Sequence, residues 1–254
     1  MTAPAARSAD DWILLGLERG PSDELLARSP ELLEEAGNDG RPRIRWYVST
    51  DEAIVLGRGQ RDAKPVAGHT RLQRHSGGGA VLMDAELLSC DVVLPAGHPW
   101  LDDADLGAVF APIGAAWMAA LADLGVHDLA VHTGAATASR LGPEHLRPLA
   151  EVCYASLGKG EVIASGRKLV GLSQRRRQSG ALIQCGIHRT WRPGPLIEAL
   201  DVEVARDAIE AAAVGIDDLL TPPVSDASIV RARRETPRQT RASKHSATVG
   251  RPFL

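Results

Sequence analysis

No stretch of the 254-residue chain approaches the roughly 20 consecutive apolar residues of a membrane-spanning helix. A membrane function is therefore set aside. The residues before Trp12 lack the apolar core of a secretory signal, so the expected location is cytoplasmic. Cysteine is scarce: Cys90, Cys153 and Cys185 are an odd number at wide, irregular spacing. That excludes a disulfide framework and fits a reducing compartment. There is no C-x-x-C pair, and no metal site is expected. On residue type alone, each cysteine reads first as a small buried hydrophobe. Charge of one sign is lacking too. The 29 Lys and Arg against 32 Asp and Glu leave a net charge of -3, which argues against a nucleic-acid partner. No internal repeat is visible.

What is present is a globular composition, 44% hydrophobic, with ample material for a core. The apolar run in Asp11 to Leu17 predicts a helix ending at Gly20-Pro21. Two short helices, Glu24 to Arg28 and Glu31 to Ala36, are expected on either side of Ser29-Pro30. Alternation predicts strands at Arg43 to Ser49 and Leu87 to Leu94, with shorter ones at Ala53 to Leu56, His69 to Gln73 and Ala80 to Met83. Phe110, Ile113, Trp117, Met118 and Leu121 recur at helical spacing within Leu106 to Leu124, with Asp102, Asp103 and Asp105 at the start and Gly125 at the end. A further strand is expected at Val126 to Val131. Glu161 to Ser165 and Lys168 to Ser173 read as hairpin arms, followed by a strand at Ala181 to His188. Helices are expected at Leu196 to Leu200 and Val204 to Val214. This irregular mixture of strands and helices defines an α+β fold. From Arg231 onward the chain is basic, with no apolar period, and is expected to be disordered. The division that follows is one domain over 11–220 and a basic tail over 221–254.

Two stretches carry chemistry. The first is R-H-S-G-G-G-A-V-L-M-D, Arg74 to Asp84. Gly77, Gly78 and Gly79 allow positive φ and a close approach by another molecule. Their amides can form a nest for an oxyanion or phosphate, and Arg74 adds a planar cationic fork. A small-molecule site and a plain tight hairpin are both compatible with these residues. The second stretch runs from Cys153 to Gly186. Lys168 stands in an apolar strand between Gly166 and Gly171, which leave the backbone open to a ligand. Its ammonium suits a carboxylate, a phosphate or the carbonyl oxygen of an acyl group. Arg175, Arg176 and Arg177 read as a solvated patch. Gly57-Arg58-Gly59-Gln60 alone is a weak signal.

Taken in order, I-V-L-G-R-G-Q, R-H-S-G-G-G-A-V-x-x-D, G-R-K-L-V-G-x-S-Q-R-R and Leu-Ile-Gln-x-Gly resemble the lipoate-protein ligase and octanoyltransferase family, which is related to biotin-protein ligases. The resemblance covers roughly Trp12 to Leu200. It implies a mixed, mainly antiparallel sheet flanked by helices, with an acyl pocket across the sheet. It implies that Ser76, Gly77, Gly78, Gly79 and Ala80 embrace the acyl chain, that Arg74 contacts its polar end, and that Lys168 sits at the acyl carbonyl. The implied product is an amide on a lysine of a lipoyl domain, in 2-oxoacid dehydrogenases or the glycine cleavage H protein.

Two mechanisms belong to this family. Ligases use ATP and Mg to form lipoyl-AMP. Cysteine-dependent members carry an octanoyl or lipoyl group on a thiol, with acyl carrier protein as a donor and no tightly bound cofactor. The latter resemble C-F-x-x-x-x-x-x-E-x-x-x-x-G-R-K, and Cys153-Tyr154, Glu161 and Gly166-Arg167-Lys168 stand at that spacing. The Asn-Asp pair typical of the ligases is missing before that strand. The resemblance thus singles out Cys153 as nucleophile, with Lys168 to favour its thiolate. The chain departs from the family pattern at Gln73, Met83 and Cys185. Those changes are compatible with another acyl substrate, another acceptor, or acyl binding without catalysis.

Overall fold

The structure, a computed structural model, describes residues 12–60, 68–134, 137–138 and 149–234. In chain order the strands are β1 (Ile13–Gly20), β2 (Arg43–Ser49), β3 (Ala53–Leu56), β4 (Arg71–Gln73), β5 (Val81–Met83), β6 (Leu87–Pro95), β7 (Leu129–Val131), β8 (Thr137–Ala138), β9 (Ser156–Leu157), β10 (Val162–Ala164), β11 (Arg167–Arg177) and β12 (Gly180–His188). The helices are α1 (Ser22–Asp39), α2 (Phe110–Asp123), α3 (Gly194–Leu200), α4 (Arg206–Ala212) and α5, residues 226–234. Seven strands form one sheet in the order β1-β2-β6-β12-β11-β10-β7. Only the β1–β2 pairing in it is parallel. This is the mixed, mainly antiparallel sheet flanked by helices that the resemblance implies.

Alternation along the long strands gives the sheet two unlike faces. One face presents Trp46, Cys90, Ile183, Cys185 and Ile187 to the main core. There Ile113, Trp117 and Leu121 of α2 meet them, with the Trp46 and Trp117 rings 5.5 Å apart. The other face carries Arg45, Tyr47, Asp91 and Gln184, which are joined by hydrogen bonds. Tyr47 Oη donates to Asp91 at 3.2 Å, and Ser29 Oγ of α1 donates to Asp91 at 2.7 Å. Helix α1 covers part of this face through Leu32, Leu33 and Ala36. A three-stranded sheet, β4-β3-β5, stands beside it and holds the glycine loop between β4 and β5.

Three expectations are corrected. The segment expected as a helix at Asp11 to Leu17 is, from Ile13, strand β1. Ile13, Leu15 and Leu17 are half-buried while Leu14 and Gly16 are exposed, a period of two that pairs with β2. The two short helices around Pro30 are one helix, α1, with Pro30 inside it. Proline removes one helical hydrogen bond. The basic tail is not disordered from 221: residues 226–234 are helical, Ile229 and Val230 enter the main core, and Arg233 is 2% exposed. Positive charge masks this helix in the sequence. The rest of the expected tail, 235–254, lies outside the described residues.

Smaller shifts have local causes. Helix α2 starts at Phe110, not Leu106, because Asp103 and Asp105 accept from the amides of Asp105 and Gly107 at 2.8 Å and hold the preceding residues in turns. Strand β11 runs on to Arg177, since β12 supplies partners along its length.

Candidate functional site

Cys153 opens a short 3-10 turn, Cys153–Ala155, that is docked against the glycine loop. Ala80 N donates to Glu151 O at 2.6 Å, and Cys153 N donates to Ala80 O at 2.9 Å. Gly79 makes this contact possible. A Cβ there would stand 2.7 to 2.8 Å from Ala150 O, Glu151 O and Cys153 N. The G-R-G-Q segment braces the same region. Gln60 accepts from Gly57 N at 3.0 Å and donates to Glu151 O at 3.0 Å, two residues before the cysteine. Gly57 leaves room for the loop, since a Cβ on it would overlap Gly78 O.

Arg74 is buried beneath this loop. Its Nη2 donates to Gly77 O at 2.8 Å and Gly79 O at 2.7 Å, and its Nη1 to Val55 O at 3.2 Å. The guanidinium therefore shapes the loop from within, and only Nε is left without a partner. Burial lowers its pKa below the usual arginine value, and Cys153 acts in the opposite direction. A Cβ on Gly78 would stand 3.1 Å from Arg74 Nη2 and 3.9 Å from Cys153 Sγ, so cation and thiol share the space under this glycine. Ser76 is also buried and points into the sheet, where its hydroxyl meets Gln184 Oε1 at 2.6 Å and Ser173 Oγ at 2.9 Å.

Lys168 is 2% exposed. It reaches the site through an irregularity. The β10–β11 register pairs Val162 with Val170 and Ile163 with Lys168, skipping Leu169. Leu169 and Val170 consequently both enter the core, while Lys168 and Gly171 stay on the other face. All three ammonium protons have acceptors: Cys153 O at 2.7 Å, Ser156 O at 3.0 Å and Glu161 Oε1 at 2.7 Å. The ammonium also lies 5.1 Å from the centre of the Tyr154 ring. Gly171 keeps this corner open, since a Cβ would lie 3.2 Å from Tyr154 and 3.3 Å from Lys168 Cε.

Between loop, turn and sheet lies a narrow cleft of about 60 Å³. Cys153, Tyr154, Arg74 and Gly171 line one side, and Leu26, Tyr47 and Met83 continue the wall. Of the residues expected at the site, Arg74, Ser76, Gly77, Gly78, Gly79, Ala80, Cys153, Lys168 and Gly171 are brought together. Gly166 is not. It sits at φ +78° in the β10–β11 turn, with no atom near its would-be side chain and no place in the cleft wall. Cys90 and Cys185 face each other across β6 and β12 and are buried, and Cys185 also reaches the cleft wall. Met83 gives the cleft an apolar wall at one of the family departures.

Sequence reasoning left out an aromatic group beside the lysine. The ring centres of Tyr154, His188 and Trp191 lie 4.6 to 5.4 Å apart. Tyr154 Oη donates to Gly186 O at 2.5 Å. Burial pushes the Tyr154 phenol well above its usual pKa, and burial together with Lys168 pushes His188 down to about 3. A strand-end histidine carries no sequence signal for such packing. Asp91 was likewise unmarked. It is fully buried, and burial raises its pKa despite its hydrogen bonds.

A glycine loop is thus docked on a cysteine turn, beside a buried lysine and an apolar cleft. The chain belongs to the lipoyl protein ligase A/B catalytic domain family, whose pattern matches residues 22–210. Octanoyltransferase LipM of Macrococcus caseolyticus is 23% identical over 203 residues, covering 76% of this chain and 68% of that protein. The fold is similar to lipoate-protein ligase A solved with ATP (TM-score 0.66, 20% identity, 91% of this chain and 85% of that one). It is similar also to the bipartite lipoate protein ligase of Thermoplasma acidophilum, solved in a study of that ligase and its E2 lipoyl domain (TM-score 0.67, 18% identity, 91% and 83%).

Proposed function

We propose that this protein transfers an octanoyl or lipoyl group through a thioester on Cys153 to the acceptor lysine of a lipoyl domain. The observation that carries this reading is the docking of the Cys153 turn on the glycine loop, which sets the thiol at the wall of an apolar cleft. In the first step the Cys153 thiolate attacks the thioester carbonyl of a carrier-bound acyl group. A new C–S bond forms and the carrier thiol leaves, taking up a proton. In the second step the acceptor amine attacks the same carbonyl, the amide forms, and Cys153 is released. The proton lost by the amine passes to solvent.

The oxyanion of each tetrahedral intermediate is assigned to the amides of Gly78 and Gly79, which donate to no other group among the described residues. Lys168 supplies positive charge and fixes the turn; its donors already have acceptors. The acyl chain lies along Leu26, Tyr47 and Met83. Acyl carrier protein is the proposed donor. Lipoyl domains of 2-oxoacid dehydrogenases, or the glycine cleavage H protein, are the proposed acceptors. The reaction belongs in the cytoplasm, where a free thiol persists.

The test is intact mass spectrometry after incubation with octanoyl-loaded carrier protein. The expected result is a hydroxylamine-labile adduct on the wild type that is absent from Cys153→Ala. Lipoate-dependent pyrophosphate release that survives Cys153→Ala would instead establish ATP-dependent ligation.

A further inference from the structure

We propose that Glu161 is a positioning residue of this site: its carboxylate anchors the Lys168 ammonium beneath the Cys153 turn and thereby governs how readily the thiol ionises. The inference rests on Cys153 being the reactive thiol.

Glu161 is 3% exposed and cannot swing freely. Its Oε2 accepts from Gly158 N at 2.6 Å. Its Oε1 accepts from Leu172 N at 3.0 Å and lies 2.7 Å from Lys168 Nζ. Leu172 lies past the end of β10, and the carboxylate takes the place of a strand partner there. Two backbone amides thus fix the anion, and the anion fixes the lysine. The other two acceptors of Lys168, Cys153 O and Ser156 O, belong to the segment that carries the thiol. A chain of contacts runs from Glu161 through Lys168 to Cys153.

The groups facing this chain are Arg74 from the glycine loop, Tyr154 on the turn itself, and His188 and Cys185 from β12. Tyr154 and His188 are uncharged near neutral pH, for the reasons of burial given above. Glu161 therefore supplies the counter-charge for the buried ammonium. Without it, Lys168 would face only carbonyl dipoles, and an amine buried without a counter-ion sheds its proton. The carbonyls of the turn that carries the thiol would then lose the cation that grips them.

The experiment follows Cys153 alkylation by iodoacetamide across pH, mapped by peptide mass, in the wild type, Glu161→Gln and Glu161→Asp. Glu161→Gln is expected to raise the alkylation midpoint by about one pH unit, making alkylation about tenfold slower below it. Glu161→Asp, which keeps the charge on a carboxylate one methylene shorter, is expected to give a midpoint between those of the wild type and Glu161→Gln. A folded Glu161→Gln protein with an unchanged or lowered midpoint overturns the proposal. If Glu161→Gln does not fold, Glu161→Asp decides. It keeps the charge but displaces the ammonium, and should lower kcat about tenfold at unchanged KM; an unchanged kcat overturns the proposal. Thioester formation is scored separately by intact mass. A shifted midpoint in a protein that forms no thioester overturns the transfer reading and leaves the anchoring role standing.

Discussion

Lys168 donates to the carbonyl oxygen of Cys153 at 2.7 Å: the lysine grips the backbone of the cysteine. Its charge lies under the turn that presents the thiol. The same lysine is one half of a buried ion pair with Glu161. Stability and the proposed chemistry therefore involve the same atoms, and their separation calls for paired substitutions.

Lys168→Met is expected to destabilise the fold by about 3–5 kcal/mol, because it leaves the Glu161 carboxylate buried without its cation. The double variant Lys168→Met, Glu161→Gln removes both charges and should recover most of that loss. Neither should transfer an acyl group. Denaturant unfolding and intact mass measure the two effects apart. Equal stability of the single and double variants would show that the charges are not coupled.

Gly79→Ala places a Cβ within 3 Å of three backbone atoms of the segment that presents Cys153. Backbone cannot yield as a flexible side chain does, so the loop must separate from the turn. The expected outcome is loss of the Cys153 adduct with about 1–3 kcal/mol of destabilisation. Gly166→Ala makes no contact and sits outside the cleft. Its expected cost is confined to strain from φ +78°, read as a lower Tm with adduct formation retained.

His188 makes stability depend on pH. In the unfolded chain the imidazole takes up a proton near pH 6.5, but in the fold only near pH 3. Protons therefore favour the unfolded state between these values. The stability associated with the neutral imidazole is present above pH 6.5 and declines as pH falls toward 3. By pH 5 the loss amounts to about 2 kcal/mol. His188→Gln should flatten the unfolding free energy over this interval. A slope identical to wild type would refute the assignment.

Ile229 of α5 is 1% exposed in the main core, whereas Val204 is 74% exposed. Ile229→Ala is expected to cost about 2–5 kcal/mol, and Val204→Ser to stay within about 0.5 kcal/mol of wild type. Thermal or urea unfolding of the two variants checks this. An Ile229→Ala protein as stable as wild type would mean that α5 does not belong to the core.

Much of the fold is legible wherever one physical signal dominates. Leu88, Cys90, Val92 and Leu94 alternate with Leu87, Ser89, Asp91 and Val93, and the strand there is found as expected. The stripe from Phe110 to Leu121 likewise marks α2. Misreadings arise where signals compete. Trp12 to Leu15 is uniformly apolar, which cannot separate a helix from a strand, and only pairing with β2 decides it. Pro30 reads as a break but is carried inside α1, whose Leu25, Leu32 and Leu33 are buried against the sheet.

The sequence by itself marked candidates for chemistry: the glycines of Gly77 to Gly79 by residue type, and Cys153, Glu161 and Lys168 by their resemblance to the family pattern. Spacing reflects which residue types the site requires. Only the tertiary structure decided how their hydrogen-bonding capacity is used. Arg74, free in the sequence to meet a ligand, donates three hydrogen bonds to Val55, Gly77 and Gly79. Lys168 reaches the turn because the β10–β11 register skips Leu169, and it arrives with every proton bonded. A buried donor must find acceptors, and these lie on the loop, turn and strand packed around it. Which of them it meets is fixed by strand register and loop docking, and neither is written in any local stretch of residues.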